Sequence, residues 1–540
     1  MKNYQENEKE IVRKEALTNA IQYLTKDRFE TTIANKSYLK DAKKALIDKS
    51  LNGGGYGDIA HSLTDETIKR WEGFYESIVQ QKKPAELKIA YLCGPNPLND
   101  LQIMVDLGVL PENVWAFELG HNEYDNAVME TLNSQYPYLK IIKGDMSFFF
   151  EYSPMKFDII YFDACAPLPS SSSKTLKSLV AIFKNHKLNS PGALITNFSL
   201  PTEDQDEHTR KSIAKIVGAY LHPKAFLEDN DDDSEESSIK DGAEAYGHIY
   251  GDNEWNEIIY SDLENYYGQY LTRFINDIAS VIVPYQKIFN SKEFLKIFFK
   301  DIFDKNSQDK LNKELQEKLY NFTHFTDDNE GSYGGDIYVD SMLYSILVSI
   351  YYINDLDKKN KFFKSFFNEL SILKNKDMFV DAISFVFYIF DQGKEQEVYY
   401  SDSLKVLSNN WNDFNRHYLC DVFMFHQLKE LLARQLCVPY HLNIEKTDRW
   451  TYKAKETQMF TDLLVFDECR YLYDWMPTLD MLEANLNNID MELSIRLILD
   501  SVSKHTLYYN KEYFFGTSAL DIGIKGFEGK VLKKRKNIKS

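Results

Sequence analysis

Ile89-Ala90-Tyr91-Leu92-Cys93-Gly94-Pro95-Asn96-Pro97 reads as an apolar strand that breaks at a glycine and gives way to a helix. An apolar run of this length closed by Gly-Pro is the mark of a buried strand and its turn. With Leu87–Leu92 as the first, four more runs follow: Val114–Glu118, Lys140–Lys143, Phe157–Asp163 and Ala193–Asn197. Helical stretches separate them. Leu98, Leu101, Met104 and Val105 mark one helix face, Glu123–Leu132 a second helix, and Leu176, Leu179, Val180 and Phe183 a third within Ser172–Lys184. Strands alternating with such helices predict an α/β, doubly wound parallel sheet. A sheet of this kind collects its ligand at the carboxyl ends of its strands, where Gly94, Glu118, Asp145 and Asp163 fall.

Outward from that block the chain is long, 540 residues, which suggests two to four domains. We expect an N-terminal helical segment with a glycine loop over 1–80 and the strand-helix domain over 81–227. An acidic linker or insertion over 228–254, a large, mostly α-helical region over 255–525 and a basic tail over 526–540 complete the expected division. In the first segment Ile11, Ala16, Ala20, Ile21 and Leu24, then Leu39, Ala42, Ala45 and Leu46, recur at helical intervals. Gly53-Gly54-Gly55-Tyr56-Gly57 interrupts them and reads either as a hinge or as a lid over a ligand; no Lys-Ser/Thr follows, so it is not a P-loop.

The hydrophobic fraction of 44% is that of a globular chain, and no apolar run offers a membrane span or a signal peptide, so a cytoplasmic location is expected. Five cysteines without a CxxC pair support neither a zinc site nor a disulfide framework. No metal is expected. The net charge of −19 argues against a generally basic nucleic-acid-binding surface. The acidic run Glu228–Glu236 and the basic tail from Lys530 both read as solvated chain.

Chemistry concentrates in the strand block. The turn at Gly94 lets a ligand approach the backbone, with Asn96 just before a helix start that offers amide donors. Glu118 ends the second strand, where a carboxylate is suited to accept the hydroxyls of a ribose. Gly144-Asp145-Met146 ends the third: the acid is placed to accept an amino hydrogen of adenine and Met146 to pack on its ring.

In the glycine turn, Glu118, Asp145 and the strand ending at Asp163, the block resembles the class I S-adenosylmethionine-dependent methyltransferases. The likeness covers roughly residues 85 to 200. It implies a Rossmann-like domain that holds S-adenosylmethionine, with Gly94 near the methionine part, Glu118 on the ribose, and Asp145 and Met146 on the adenine. The chain departs from the family in its turn, which has one glycine and Asn96 where a second is expected.

At the fourth strand end, Asp163-Ala164-Cys165-Ala166 stands where amino-group nucleic-acid enzymes often carry Asp/Asn-Pro-Pro-aromatic. Asp163 is the expected catalytic group, as an acid that orients the acceptor or takes its proton, with a purely structural role as the alternative. Cys165 reads as a packed thiol rather than a nucleophile, and Ser170–Ser173 with Lys174 as a flexible rim. Elsewhere, Tyr266, Tyr267, Tyr270 and Phe274 read as helix core, His324 with Asp327 and Asp328 as a solvated loop, and Arg449–Lys453 as a surface turn.

The expected function is methyl transfer to a macromolecular acceptor, RNA, DNA or protein, chosen by the helical region. The alternative is a non-catalytic scaffold subunit that works with protein partners. An NAD-dependent enzyme ranks last, because the other glycines of its fingerprint are missing too.

Overall fold

In the computed structural model all five expected strands form and lie side by side in parallel. They are β1 (Ile89–Leu92), β2 (Val114–Glu118), β3 (Lys140–Lys143), β4 (Phe157–Ala166) and β5 (Leu188–Ser199), in the order β3-β2-β1-β4-β5. The structure describes residues 7–51, 57–170, 172–201, 207–221, 253–289, 291–300, 400–410, 425–484, 489–506, 526–527 and 530–539. The glycine loop from 52 to 56, the acidic run, the cluster around His324 and the expected helices Ser341–Tyr352 and Phe362–Leu373 all lie outside those residues.

The sheet does not stop at β5. β6 (His441–Leu442), β7 (Asp448–Ala454), β8 (Thr457–Asp467) and β9 (Lys536–Asn537) extend it to nine strands. β8 runs antiparallel to β5 and β7, and β9 is parallel to β7. The fold is therefore α/β with a mostly parallel sheet. The expected helical region supplies part of that sheet, alongside helices such as Leu263–Asp277 and Phe425–Cys437.

Arg449–Lys453 is not a surface turn but the middle of β7, with Arg449, Trp450 and Tyr452 buried. The basic tail is not free, solvated chain either. It docks on β7, and its charges meet acids from elsewhere: Lys530 Glu445, Lys533 Asp448, Arg535 Asp462 and Lys536 Glu15. A run of like charge shows its sign in the sequence but not the distant acids that neutralise it.

Helices cover both faces. Alternation along a strand puts Ile89, Tyr91 and Cys93, then Ile159 and Tyr161, then Ala193 and Ile195 on one face. There they pack with α1 (Asn7–Leu24), whose Val12, Ala16, Leu17, Ala20, Ile21 and Leu24 form a helical stripe. α5 (Leu98–Asp106) and α6 (His121–Leu132) share that face through Leu101, Met104 and Ala127. The opposite face, with Ala90, Phe117, Ile160 and Leu194, receives α2 (Tyr38–Leu51), α4 (Asp65–Ile78), α7 (Met146–Tyr152), α8 (Thr175–Lys184) and α9 (Glu207–Leu221). α3 (Gly57–Ser62) precedes α4, which Thr64 caps by accepting a hydrogen bond from the Thr67 amide. Tyr266, Tyr267, Tyr270 and Phe274 are buried core, as expected.

Candidate functional site at the carboxyl edge of the sheet

Side-chain alternation decides which groups meet at this edge. Val114 and Ala116 lie on the α1 face, so Glu118 ends β2 on that face; Tyr161 likewise carries Asp163, and Ile195 carries Asn197. Asp163 pairs in register with Asn197, and Asn197 with Thr461 of β8. The sequence thus aims Asp163 at the first helix.

Gly94 sits at φ +59, and a Cβ built on it would meet nothing within 4 Å, so the turn is left-handed and open. Asn96 is exposed at its tip. The Cys93 amide donates to Phe117 O at 3.1 Å and the Gly144 amide to Glu118 O at 3.0 Å, which ties the ends of β1, β2 and β3 together. Glu118 Oε1 accepts from the Gly120 amide at 2.7 Å, and Oε2 has no hydrogen-bond partner among the described residues. Leu119 and Phe148, neither singled out in the sequence, stand 55% and 62% exposed beside the acids.

Asp145 is more committed than expected. Its Oδ1 accepts from the Ser147 amide at 2.8 Å, capping α7, and its Oδ2 meets Lys174 Nζ at 3.0 Å. Burial works to raise its pKa, but the bonds from Ser147 and Lys174 win and hold it below the usual range. Lys174, at the end of the expected flexible rim, is thus ion-paired to Asp145. Met146 is 2% exposed and packs in the core with Phe117 and Phe150. As the first residue of a helix that Asp145 caps, it points under the sheet edge. Leu119 and Phe148 take the outward positions instead.

Asp163 lies in a polar knot. Lys9 Nζ is 2.9 Å from its Oδ2, and its Oδ1 accepts from Asn197 Nδ2 at 2.8 Å and Cys165 Sγ at 2.9 Å. Asn197 also donates to Tyr452 Oη at 3.0 Å and accepts from Thr461 Oγ1 at 2.9 Å. Burial would raise the Asp163 pKa, but the Lys9 charge and these bonds hold it below the ordinary carboxylate value. Cys165, at φ +48 in a bulge of β4, has its thiol pushed up to about 12, first by burial and then by Asp163. Against the expectation of a packed thiol, its side chain is exposed. It is a thiol at neutral pH, which suits the reading that it is no nucleophile.

Next to the knot, Arg13 Nε lies 2.6 Å from Asp100 Oδ1. The two are close but misaligned for a hydrogen bond, and both atoms count as buried without one. We take this as an ion pair at short range. Burial outweighs Arg13 and lifts the Asp100 pKa to about 6.

Lys9, Arg13, Asp100 and Thr461 escaped the sequence, and Tyr452 stood out only as part of the expected surface turn Arg449–Lys453. No local signal marks them, since each owes its place to partners far along the chain. Among the described residues no group of three or more His, Cys, Asp or Glu could hold a metal ion, and no helix is long and apolar enough to cross a membrane. Compared with known proteins, the chain matches no family model and no curated protein.

Proposed function

We propose that the chain is a class I, Rossmann-like, S-adenosylmethionine-dependent methyltransferase acting on a macromolecular acceptor. The observation that carries the reading is Glu118: a carboxylate at the carboxyl end of β2 with one oxygen unpartnered among the described residues, between the open left-handed turn at Gly94 and the exposed Leu119 and Phe148. These residues fit the group. Glu118 would accept from the ribose hydroxyls, the Gly94 turn would admit the methionine part, and Leu119 and Phe148 would cover the adenine, with Asp145 at its amino group. A strand set in reverse beyond the fifth parallel strand, as β8 is, also accords with that class. When bound, the cofactor supplies a methyl group on a sulfonium, so the chain need mainly align acceptor and donor.

Asp163 acts here as an anchor that orients rather than as a base, since Lys9, Asn197 and Cys165 already occupy it. The same occupation favours the second reading, a non-catalytic scaffold whose sheet edge α1 has closed. Calorimetric titration of the full chain with S-adenosylmethionine separates the two. We expect binding by the wild type and about a tenfold or larger loss in Glu118→Ala, as for a charge-assisted hydrogen bond. An absence of heat, or equal affinity in the variant, rejects the methyltransferase reading.

A further inference from the structure

At the opposite end of the sheet, where β4 and β5 begin, cations outnumber anions in a half-buried cluster. His186 Nδ1 is 2.6 Å from Glu468 Oε1, just past the end of β8. Lys287, on the helix Val283–Phe289, brings its Nζ against His186 Nε2. The ring thus lies between the Glu468 carboxylate on one nitrogen and the Lys287 ammonium on the other. Lys156 reaches Glu468 only at 3.8 Å. Lys187, 6% exposed, spends its Nζ on the carbonyl of Ser153.

Among the described residues, Lys156 and Lys287 share the one carboxylate of Glu468, and Lys187 has only the Ser153 carbonyl. Two other acids at this end of the sheet are committed elsewhere. Asp467 accepts from the Ile33 and Cys469 amides, Ser190 Oγ and Tyr471 Oη, and Asp158 from Lys82, Asn189 and the Lys88 amide. Arg28 lies near both of these acids. Among the described residues two positive charges are left uncompensated at the cluster. Lys187 and Lys287 both have pKa values lowered by burial first, and Lys156 adds to it in each. An unpaired buried cation is costly, so a native chain that keeps two gains something from them.

We propose that Lys156, Lys187, Lys287 and His186 form a binding site for a phosphate group carried as the dianion. The charge matches the uncompensated pair, and ammonium groups on three separate elements suit an anion with oxygens in several directions. Lys156 at 45% and His186 at 28% side-chain exposure leave a way in, while Glu468 at 8% holds the imidazole in place. The site is remote from Glu118 and does not depend on the methyltransferase reading.

The test is titration of the full-length protein with inorganic phosphate at constant ionic strength, for wild type, Lys287→Met and Lys156→Met. We expect saturable binding that each substitution weakens about tenfold or more. An absence of binding by the wild type, or unchanged affinity in both variants, overturns the proposal. Melting temperatures guard against a folding defect. In phosphate-free buffer Lys287→Met should melt no lower than wild type, and phosphate should raise the melting point of the wild type alone. A variant that melts lower, with phosphate affecting neither protein, makes Lys287 a structural prop of His186 and ends the proposal. Given binding, short oligonucleotides with a 5′-phosphate or a 5′-hydroxyl identify the source. Stronger binding of the phosphorylated strand than of inorganic phosphate points to a nucleic-acid end, and equal or weaker binding points to a free or small-molecule phosphate.

Discussion

Lys9 Nζ lies 2.9 Å from Asp163 Oδ2, and this pair joins the first helix of the chain to the strand that was expected to carry the chemistry. Both side chains are largely buried, at 25% and 9% exposure, so neither charge is easily rehydrated if its partner goes. Removing one partner of a buried pair costs about 3–5 kcal/mol. We expect Lys9→Met and Asp163→Asn each to lose stability on that scale, and the double variant to recover part of it. Urea denaturation of the four proteins closes the cycle. Additive losses would show that the two charges do not act on each other.

Asp100 gives a pH dependence of unusual sign. Its folded pKa of about 6 lies above the ordinary aspartate value, because burial outweighs Arg13. Between the two values the folded state binds the proton that the unfolded chain has released, so this group's contribution to stability falls as pH rises through that window. The span corresponds to roughly 2–3 kcal/mol. Asp163 works the other way: its lowered pKa keeps its contribution intact at neutral pH, to be lost only under acid conditions below the ordinary aspartate range. Asp100→Asn should therefore flatten the stability profile between about pH 4 and pH 6, and leave the acid limb below about pH 4 in place. A profile that keeps its slope in the variant would assign the titration to another group.

The block from Leu87 to Leu200 was legible because its strands are local apolar runs and three of its helices local stripes; the short α7 has no stripe long enough to read. The acids at the strand ends were legible for the same reason: a residue's place at the end of a strand follows from the run before it. The second half of the sheet was not. β7 alternates basic and aromatic residues, Arg449-Trp450-Thr451-Tyr452-Lys453, a pattern that looks like surface until Arg449 Nη2 meets Lys533 O at 2.8 Å and Trp450 Nε1 meets Glu15 at 2.8 Å. Those partners come from opposite ends of the chain. The knot around Asp163 was hidden in the same way, since Lys9, Asn197 and Tyr452 converge only after β5, β7 and α1 are in place.

The tail offers a third prediction. Arg535 Nη1 meets buried Asp462 and donates to Trp450 O at 3.1 Å, while Nη2 donates to Gly268 O and Thr272 Oγ1, both at 3.0 Å. Arg535→Met leaves Asp462 with the Thr272 hydroxyl, which donates at 2.6 Å, and without its ion pair to Arg535. We expect a loss of about 3 kcal/mol. Lys534 is exposed, and Lys534→Ala should stay within about 0.5 kcal/mol of wild type. Chemical denaturation of both variants compares them. Equal, small effects would mean that the tail rests on the sheet without holding it.

Cys165 reports on the field inside the Asp163 knot, and the two charges beside it act in opposite directions. Asp163 raises its pKa and Lys9 lowers it, on top of the larger effect of burial. Alkylation proceeds through the thiolate, so its rate follows the ionised fraction at a given pH. Asp163→Asn should speed the reaction of Cys165 with iodoacetamide several-fold, and Lys9→Met should slow it by a similar factor. Peptide mapping separates this thiol from the other four cysteines, of which Cys93, Cys437 and Cys469 are buried. The opposite signs are what make the measurement decisive. Loosening of α1 would expose the sulfur in both variants and accelerate both, so a parallel rise would show that the helix has lifted rather than that the charges act on the thiol.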